Sequence, residues 1–353
     1  MATLTETAYY GRKVVRWAII ALIGYVILRI SFTIFVRIIQ QAFPRAPLIP
    51  NQAFGKLPAL KFPETTASPS GQLEFTLQTV SGTIPEASNA AKVYFLPKNR
   101  SNLLSLSNAQ TLVARTGFTS TPRQISPTVY RWIDLDAPFR TIELDIVNNH
   151  FELNYAYSHD PNLFTEKSLP SPLQAENDAE VFMQTLGLTT TDLDLVNPKV
   201  TFLKFDGSKL ILASSQSQAD AIQLDYFHKK YDGMQVLTDQ PNAGTLTFIF
   251  SSSLNANKHI LYVKYHYWPT DINTLGIYKL KTSAQAYQEL LAGKGYLASF
   301  PPNQNQIKLT NVYLAYYDSR EPQLFLQPIF VFEGDPNFQA FVSAVAPPWI
   351  EEK

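Results

Sequence analysis

The sequence predicts an α+β protein with an N-terminal transmembrane helix, a Pro-rich linker, and antiparallel sheets that are each packed by short amphipathic helices. Three observations support this fold class. Residues 17–36 are almost wholly apolar, six prolines fall within residues 44–69, and the rest of the chain alternates short helix-like segments with strand-like segments. Short helices followed by runs of antiparallel strands are typical of folds in which helices cover one face of each sheet.

Composition and charge exclude several functional classes. The 353-residue chain contains no cysteine, which excludes disulfide frameworks, thiol catalysis and cysteine-based metal sites. Its 29 cations balance its 29 anions, but eight cations and one anion lie in residues 1–61, so a basic N-terminal segment precedes an acidic body. Because nucleic-acid binding needs a basic face that neutralises phosphates, this distribution argues against a nucleic-acid partner.

Residues 17–39 are predicted to form an uncleaved transmembrane signal anchor. The apolar run has about the 20 residues that a bilayer requires, and no small-residue cleavage site follows it promptly. Basic residues are enriched in residues 1–16, which favours a cytoplasmic N-terminus. We therefore expect a single-pass protein of the plasma membrane whose bulk is extracytoplasmic.

Arg29 interrupts the apolar run and has two interpretations. It is either a membrane-embedded cation that pairs with an acidic residue in a partner's transmembrane helix, or a side chain that extends to the membrane surface. Arg29 is therefore the candidate partner-binding residue. An in-plane helix fits less well, because the apolar residues surround the helix instead of forming one stripe.

Residues 40–72 are predicted to be a linker, because their prolines exclude a continuous helix. The linker either lifts the body off the membrane as an extended spacer or lies along the body as an irregular arm. Alternation of apolar and polar residues begins at Leu73 and predicts a strand there. Two α+β ectodomains are expected, over residues 73–168 and 169–350.

Three segments of the body combine a capping box, an apolar face and a terminal glycine, and each is predicted to be a short amphipathic helix. Their predicted first residues are Ser107, Asn177 and Thr282, and their glycines are Gly117, Gly187 and Gly293. The first two segments are equally consistent with a divergent repeat and with shared helix signals.

Antiparallel hairpins are predicted where two alternating segments flank turn residues. The predicted hairpins span residues 141–157, with a turn at Asn148 and Asn149, residues 200–213, with a turn at Asp206 and Gly207, and residues 244–268. Residues 307–346 are predicted to close the chain as a three-stranded meander.

Residues that could carry catalysis or bind a metal are sparse. The five histidines show no paired metal-ligand spacing, and no serine motif offers an activated nucleophile. Asp134 with Asp136, and Asp192 with Asp194, each place two carboxylates on one face of a predicted strand, but solvated turns are the expected explanation. The sequence predicts no catalytic residue, metal, cofactor or small-molecule substrate, and no enzyme.

Residues 225–346 resemble a known family. The run Tyr231-Asp-Gly233-Met-Gln-Val236 is similar to a strand turn of PepSY-type extracytoplasmic modules. The helix and strands of residues 260–334 are similar to the C-terminal module of the YycH/YycI family, whose members are single-pass accessory proteins that regulate a membrane sensor kinase. The positions that carry the resemblance are Tyr231, Gly233, Val236, Ala286, Leu290, Gly293, Tyr316, Pro328 and Phe332.

The resemblance implies a membrane-anchored, non-enzymatic interaction domain that regulates or scaffolds an envelope protein. Such a domain would bind its partner through an exposed sheet edge or an apolar groove. Two other functional classes stay open. A structural or adhesive envelope component would self-associate as a purified ectodomain, whereas an envelope hydrolase would lose activity on substitution of Asp134 or Asp192.

Overall fold

The computed structural model describes residues 17–33, 35, 47–63, 73–79, 82–160, 162–165, 168–302, 304–335 and 337–351. The helices are α1 (residues 17–33), α2 (Ser105–Ala114), α3 (Pro172–Leu186), α4 (Ala256–His259) and α5 (Ser283–Leu291). The strands are β1 (Glu74–Leu77), β2 (Ala90–Phe95), β3 (Arg123–Gln124), β4 (Val129–Ile133), β5 (Arg140–Asp145), β6 (Phe151–Tyr155), β7 (Lys199–Phe205), β8 (Leu210–Leu212), β9 (Ala221–Tyr226), β10 (Val236–Thr238), β11 (Leu246–Ser251), β12 (Ile260–Tyr265), β13 (Asp271–Lys279), β14 (Tyr296–Ser299), β15 (Gln306–Asp318), β16 (Phe325–Asp335) and β17 (Phe338–Ser343).

Helix α1 lies in a first unit, Met1–Ile49, and the other named elements lie in a second compact unit, Pro50–Lys353. The predicted anchor over residues 17–39 overlaps α1. Among the helices of the described residues, none combines the length and the apolar composition that a membrane crossing requires. Residues 1–16, 34 and 36–39 lie outside the described residues, so the predicted cytoplasmic segment and the end of the predicted anchor stay predictions.

The first sheet contains eight strands, five of which follow the order β1-β15-β16-β17-β14. Strand β10 pairs with β15, and β2 pairs with both β13 and β16. Most of these pairs are antiparallel, as predicted, but β1 and β10 run parallel to β15. The first sheet is thus mainly antiparallel, as predicted, with two parallel pairs that were not predicted. Long connections separate β1 and β10 from β15, and such connections permit parallel pairing.

The second sheet contains nine strands in the order β3-β4-β5-β6-β12-β11-β9-β7-β8, and its pairs are antiparallel. It confirms the three predicted hairpins as β5–β6, β7–β8 and β11–β12. At the turns, Asn149 has a φ of +59° and Gly207 a φ of +101°. Asn and Gly adopt this left-handed conformation most readily, which explains why these turn residues were informative. The predicted meander is likewise confirmed as β15, β16 and β17.

Both sheets draw strands from both halves of the chain. Strands β1 and β2 join the first sheet together with the C-terminal meander, whereas β12 lies beside β6 in the second sheet. The sheets therefore do not follow the predicted division at residue 168. The two largest buried apolar clusters of the second unit instead lie one on each sheet.

One face of each sheet is covered by helices, as predicted. Ala109 and Val113 of α2 and Phe182 of α3 belong to the core of the second sheet, with Phe151 and Phe248. Burying a large apolar side chain contributes roughly 1.5–3 kcal/mol, so these helix faces account for much of the local stability. Helix α5 packs on the first sheet through Ala286 and Leu290.

The predicted capping box is confirmed for one helix and wrong for two. In α5 the Thr282 side chain accepts from the Gln285 N–H while the Gln285 side chain accepts from the Thr282 N–H. Helix α3 begins earlier than predicted from Asn177, because Ser171 and Gln174 form its capping box. Helix α2 has no side-chain cap, and Ser107 lies within its first turn.

Residues 50–63 of the predicted linker lie along the body as an irregular arm, the second of the two predicted alternatives. The Leu57 N–H donates to the Trp349 carbonyl, and the Glu351 N–H donates to the Leu57 carbonyl, both at 2.8 Å. The Tyr278 hydroxyl donates to the Gly55 carbonyl at 3.0 Å. Leu57 is fully buried. The body thus begins at Pro50 and not near Leu73, while residues 40–46 and 64–72 lie outside the described residues.

Candidate functional site

A cavity of about 350 Å³ lies between the chain segment around β10 and the face of the first sheet. Ligand sites usually occupy about 300–1,000 Å³, so this cavity is at the lower end of that range. Its lining residues that bear on binding are Phe227, His228, Lys229, Lys230, Gln235, Val236, Leu237, Thr238, Gln240, Asn242, Tyr313, Glu333 and Gln339.

The turn that leads into β10 contains the first part of the family motif. Tyr231 and Met234 exchange two backbone hydrogen bonds of 3.0 and 2.9 Å. Between them Asp232 and Gly233 have φ values of +51° and +84°, the left-handed pair that a tight hairpin turn requires. The Asp232 carboxylate also accepts from the Tyr94 hydroxyl at 2.7 Å. The motif therefore fixes the position of β10 against the first sheet.

The far wall of the cavity is a preorganised polar group on β15, β16 and β17. The Tyr313 hydroxyl donates to Glu333 Oε1 at 2.6 Å, and the Gln339 amide donates to the same oxygen at 3.3 Å. Burial raises the pKa of Tyr313 well above its usual value, and the Glu333 carboxylate raises it further. Tyr313 therefore stays a neutral donor, and the Glu333 charge is already bound.

The near wall carries polar side chains that have no partner. The side chains of Gln235, Gln240 and Asn242 are exposed and make no hydrogen bond to any residue that the structure describes. The Lys230 ammonium likewise has no ion-pair partner within the described part of the chain, whereas Lys229 Nζ donates to the Thr191 carbonyl at 2.9 Å. These groups are available to a ligand.

A buried histidine lies at the end of the cavity. His228 Nε2 is 3.4 Å from Asp318 Oδ2, and both side chains are 3% exposed. Neither ring nitrogen of His228 has a hydrogen-bond partner among the described residues. A buried polar group without a partner is costly and calls for a specific reason, such as a ligand or a protonation role.

A second cleft, of about 240 Å³, lies where the polar face of the second sheet meets Arg320. The rings of His150 and His266 have centroids 4.0 Å apart in its wall. Burial lowers the pKa of both histidines, and burial together with the nearby His150 ring lowers that of His266 to about 4. Burial also lowers the pKa of the Lys264 ammonium.

The remaining motif residues have structural positions. Ala286 and Leu290 pack in the core, and Gly293 has a φ of +72° after the end of α5. Tyr316 lies directly opposite Pro328 on the neighbouring strand. Phe332 is fully buried in the first core.

Arg29 lies on α1, where its side chain is exposed. The Arg29 carbonyl accepts a hydrogen bond from the Thr33 hydroxyl at 2.7 Å. Arg29 belongs to the first unit, and the cavity residues belong to the second. Its assignment as a partner-binding residue stays a prediction.

Of the paired aspartates, Asp134 departs from the expectation of solvated edges or turns, whereas Asp136 is exposed in a bend and Asp192 lies in a turn. Asp134 follows the end of β4 and is buried, with Oδ2 at 2.9 Å from Arg140 Nη1. Its other oxygen accepts from the Asp136 N–H at 2.9 Å, so Asp134 organises a turn. Asp192 accepts from the Tyr267 hydroxyl at 2.8 Å. Asp194 is bound by the Asn197 side chain and the Val196 N–H. In the described ranges, no group of three or more histidines and carboxylates is arranged to hold a metal ion.

Sequence reasoning missed most of the cavity. Lys230, Gln235 and Gln240 surround the motif but are ordinary surface residue types, and Glu333 is remote from them in sequence. The only available signal was the position of the turn at Tyr231, which the resemblance identified. Nothing in the spacing of His228 and Asp318 indicated that they would meet.

No protein-family model matches this chain, and no curated protein matches it. Among solved structures, it is similar to an uncharacterized protein from Eubacterium rectale, with 12% identity, a TM-score of 0.37, and coverage of 72% of this chain and 82% of that chain. It is also similar to the YpeB C-terminal domain of Bacillus megaterium, with 12% identity, a TM-score of 0.30, and coverage of 73% and 97%. At these TM-scores neither similarity bears on function.

Proposed function

We propose that this chain is a membrane-anchored extracytoplasmic protein that binds and regulates, or scaffolds, a protein partner of the cell envelope. In this proposal residues 17–39 hold the chain in the plasma membrane with the N-terminus inside, and the unit that starts at Pro50 lies outside. The protein acts by binding and not by catalysis.

The observation that carries the proposal is the apolar surface of α1. Trp17, Leu28 and Phe32 are 64%, 69% and 66% exposed, and most other large apolar residues of the helix are similarly exposed. A helix that is apolar all round is unfavourable in water, because each large side chain loses roughly 1.5–3 kcal/mol of burial free energy. An apolar surrounding such as a membrane would remove that cost.

Two further features support a regulatory or scaffolding role. The resemblance of residues 225–346 to the YycH/YycI family supports an accessory role beside a sensor kinase. Among the described residues β10 pairs with β15 alone, which leaves the kind of sheet edge through which such a domain can bind a partner.

Membrane attachment is tested by fractionation of cells that produce the full chain. We expect the wild type to stay in the membrane fraction after a high-salt wash and to enter solution in detergent. Ile23→Asp should move the protein to the soluble fraction, because a central carboxylate costs about 3 kcal/mol on insertion, whereas the control Ile23→Leu should not. Wild type in the soluble fraction would refute the proposal.

Orientation and partner are tested on intact cells. Protease added outside should digest the body, and protection of the body would contradict the extracytoplasmic assignment. In-membrane crosslinking of wild type, Arg29→Leu and Arg29→Lys tests the embedded cation. We expect one specific partner to be lost with Leu and kept with Lys, since only a paired cation depends on the charge.

A further inference from the structure

We propose that the cavity beside β10 binds an extended peptide segment of a partner protein, which adds to β10 as a new strand and places an acidic side chain against Lys230. This inference names the chemistry of the binding site. It does not depend on membrane attachment, since every residue it uses lies in the second unit.

The first argument is the open side of β10. Val236 lies opposite Tyr316 in a parallel register, and the Tyr316 N–H donates to the Gln235 carbonyl at 2.8 Å. Backbone groups of successive strand residues point to opposite sides, so those of Val236 and Thr238 point away from β15. Among the described residues no strand pairs with that side. Such an edge is a template for another strand.

The second argument is the chemistry of the lining. The side-chain amides of Gln235, Gln240 and Asn242 each offer donors and an acceptor, as a peptide backbone does, and within the described residues they have no partners. The strand β10 is three residues long. At ~3.3 Å per residue it spans about 10 Å, so a short extended segment suffices to pair with it.

The third argument is charge. Glu333 is bound by Tyr313 and Gln339, and Asp194 is bound by Asn197. Of the charged side chains that line the described cavity, the Lys230 ammonium is the one that makes neither a hydrogen bond nor an ion pair to a described residue. A carboxylate on the bound segment would pair with it, and a basic segment would not.

The experiment uses the full chain in detergent, immobilised, and a phage library of random heptapeptides. The most enriched sequence is then synthesised with both ends capped, and its binding is measured by calorimetry. We expect enriched sequences to contain Asp or Glu within strand-forming residues. Lys230→Glu should weaken binding at least tenfold, while Lys294→Glu, an exposed lysine of the same body, should leave it unchanged.

The backbone pairing is tested separately at Thr238. Thr238→Pro removes the outward N–H and should weaken binding at least tenfold, whereas Thr238→Val keeps the N–H and should bind within twofold of wild type. Circular dichroism establishes that each variant is folded. If Thr238→Pro fails to fold, Lys230→Glu still decides whether the peptide binds in this cavity.

Three results would overturn the proposal. The first is a selection that enriches no peptide over the Lys230→Glu variant, and the second is peptide binding that Thr238→Pro leaves intact. The third is binding of a chitin trisaccharide, used as a second probe, in place of any peptide. None of these results affects the membrane proposal, which fractionation tests.

Discussion

The imidazole rings of His150 and His266 lie 4.0 Å apart on neighbouring parts of the second sheet, and each also lies edge-on to Trp268. The charged groups that face these rings include both carboxylates and cations. Asp318 and Asp145 favour the protonated form of His150, while Lys264 and Arg320 disfavour protonation of His266. Burial outweighs the carboxylates, so the pKa of both rings lies below its ordinary value in the folded protein, that of His266 at about 4.

We predict that acid destabilises the body through this pair. The folded-state pKa of His266 is about 4, below its ordinary value of 6.5, so the unfolded chain binds more protons between these values. The free energy of unfolding should therefore fall by on the order of 2–3 kcal/mol as the pH drops from about 6.5 to about 4, with part of the fall shared with His150.

The measurement is denaturant unfolding across that pH range. His266→Gln should flatten the pH dependence, because glutamine does not titrate. His159→Gln removes an exposed histidine and should leave the slope as in the wild type. An unchanged slope in His266→Gln would contradict the prediction.

The buried ion pair of Asp134 and Arg140 makes a second prediction. Arg140 Nη1 also donates to the Thr116 carbonyl at 2.9 Å, and its guanidinium lies over the Phe118 ring. Asp134→Asn leaves the buried guanidinium without its counter-charge and should cost about 3–5 kcal/mol of unfolding free energy. Asp136→Asn, at the exposed position two residues on, should cost under about 0.5 kcal/mol. Equal losses of unfolding free energy in the two variants would mean that Asp134 and Arg140 do not form the coupled ion pair described.

The arm gives a third prediction, on the free energy of unfolding. Leu57 is fully buried and pairs with the C-terminal segment at Ile350, so Leu57→Ala should cost about 2–5 kcal/mol. Lys56 is exposed, and Lys56→Ala should be close to neutral. Thermal unfolding of both variants measures these two changes in unfolding free energy. A neutral Leu57→Ala would favour the detached spacer over the arm.

Helix capping gives a fourth prediction. Thr282→Ala removes the side-chain cap of α5 and should cost about 0.5–2 kcal/mol. Ser107 is exposed and does not cap α2, so Ser107→Ala should change the unfolding free energy by less than about 0.5 kcal/mol. A larger loss at Ser107 would favour the capping box that the sequence predicted.

Local sequence signals were sufficient to predict the hairpins and some of the helix ends. Asn149 and Gly207 need a left-handed backbone, and Gly187 ends α3 for the same reason. Such requirements act within a few residues, so the sequence displays them. At Ser107 and Asn177 the same helix signal occurred without a cap, because neighbouring residues began the helix earlier.

The pairing of segments that lie far apart in the sequence could not be predicted from the sequence. Nothing in the sequence near Leu57 indicates that this residue pairs with Ile350. Nothing near Glu74 indicates that β1 runs parallel to β15. The cavity depends on the same kind of contact, since Glu333 and Lys230 line one cavity only after β10 has paired with β15. The turn at Tyr231 was recognised through a resemblance, but its neighbours acquire their role from the tertiary fold.

The bridge between Leu57 and Ile350 also constrains the order of events during biosynthesis. A ribosome emits Leu57 long before Ile350, so the arm lacks this partner until residue 350 has been synthesised. Contacts of such large sequence separation form slowly even in a finished chain. The arm is therefore fixed on the body only after residue 350 has left the ribosome, and a nascent chain stalled before residue 350 would leave Leu57 without this partner.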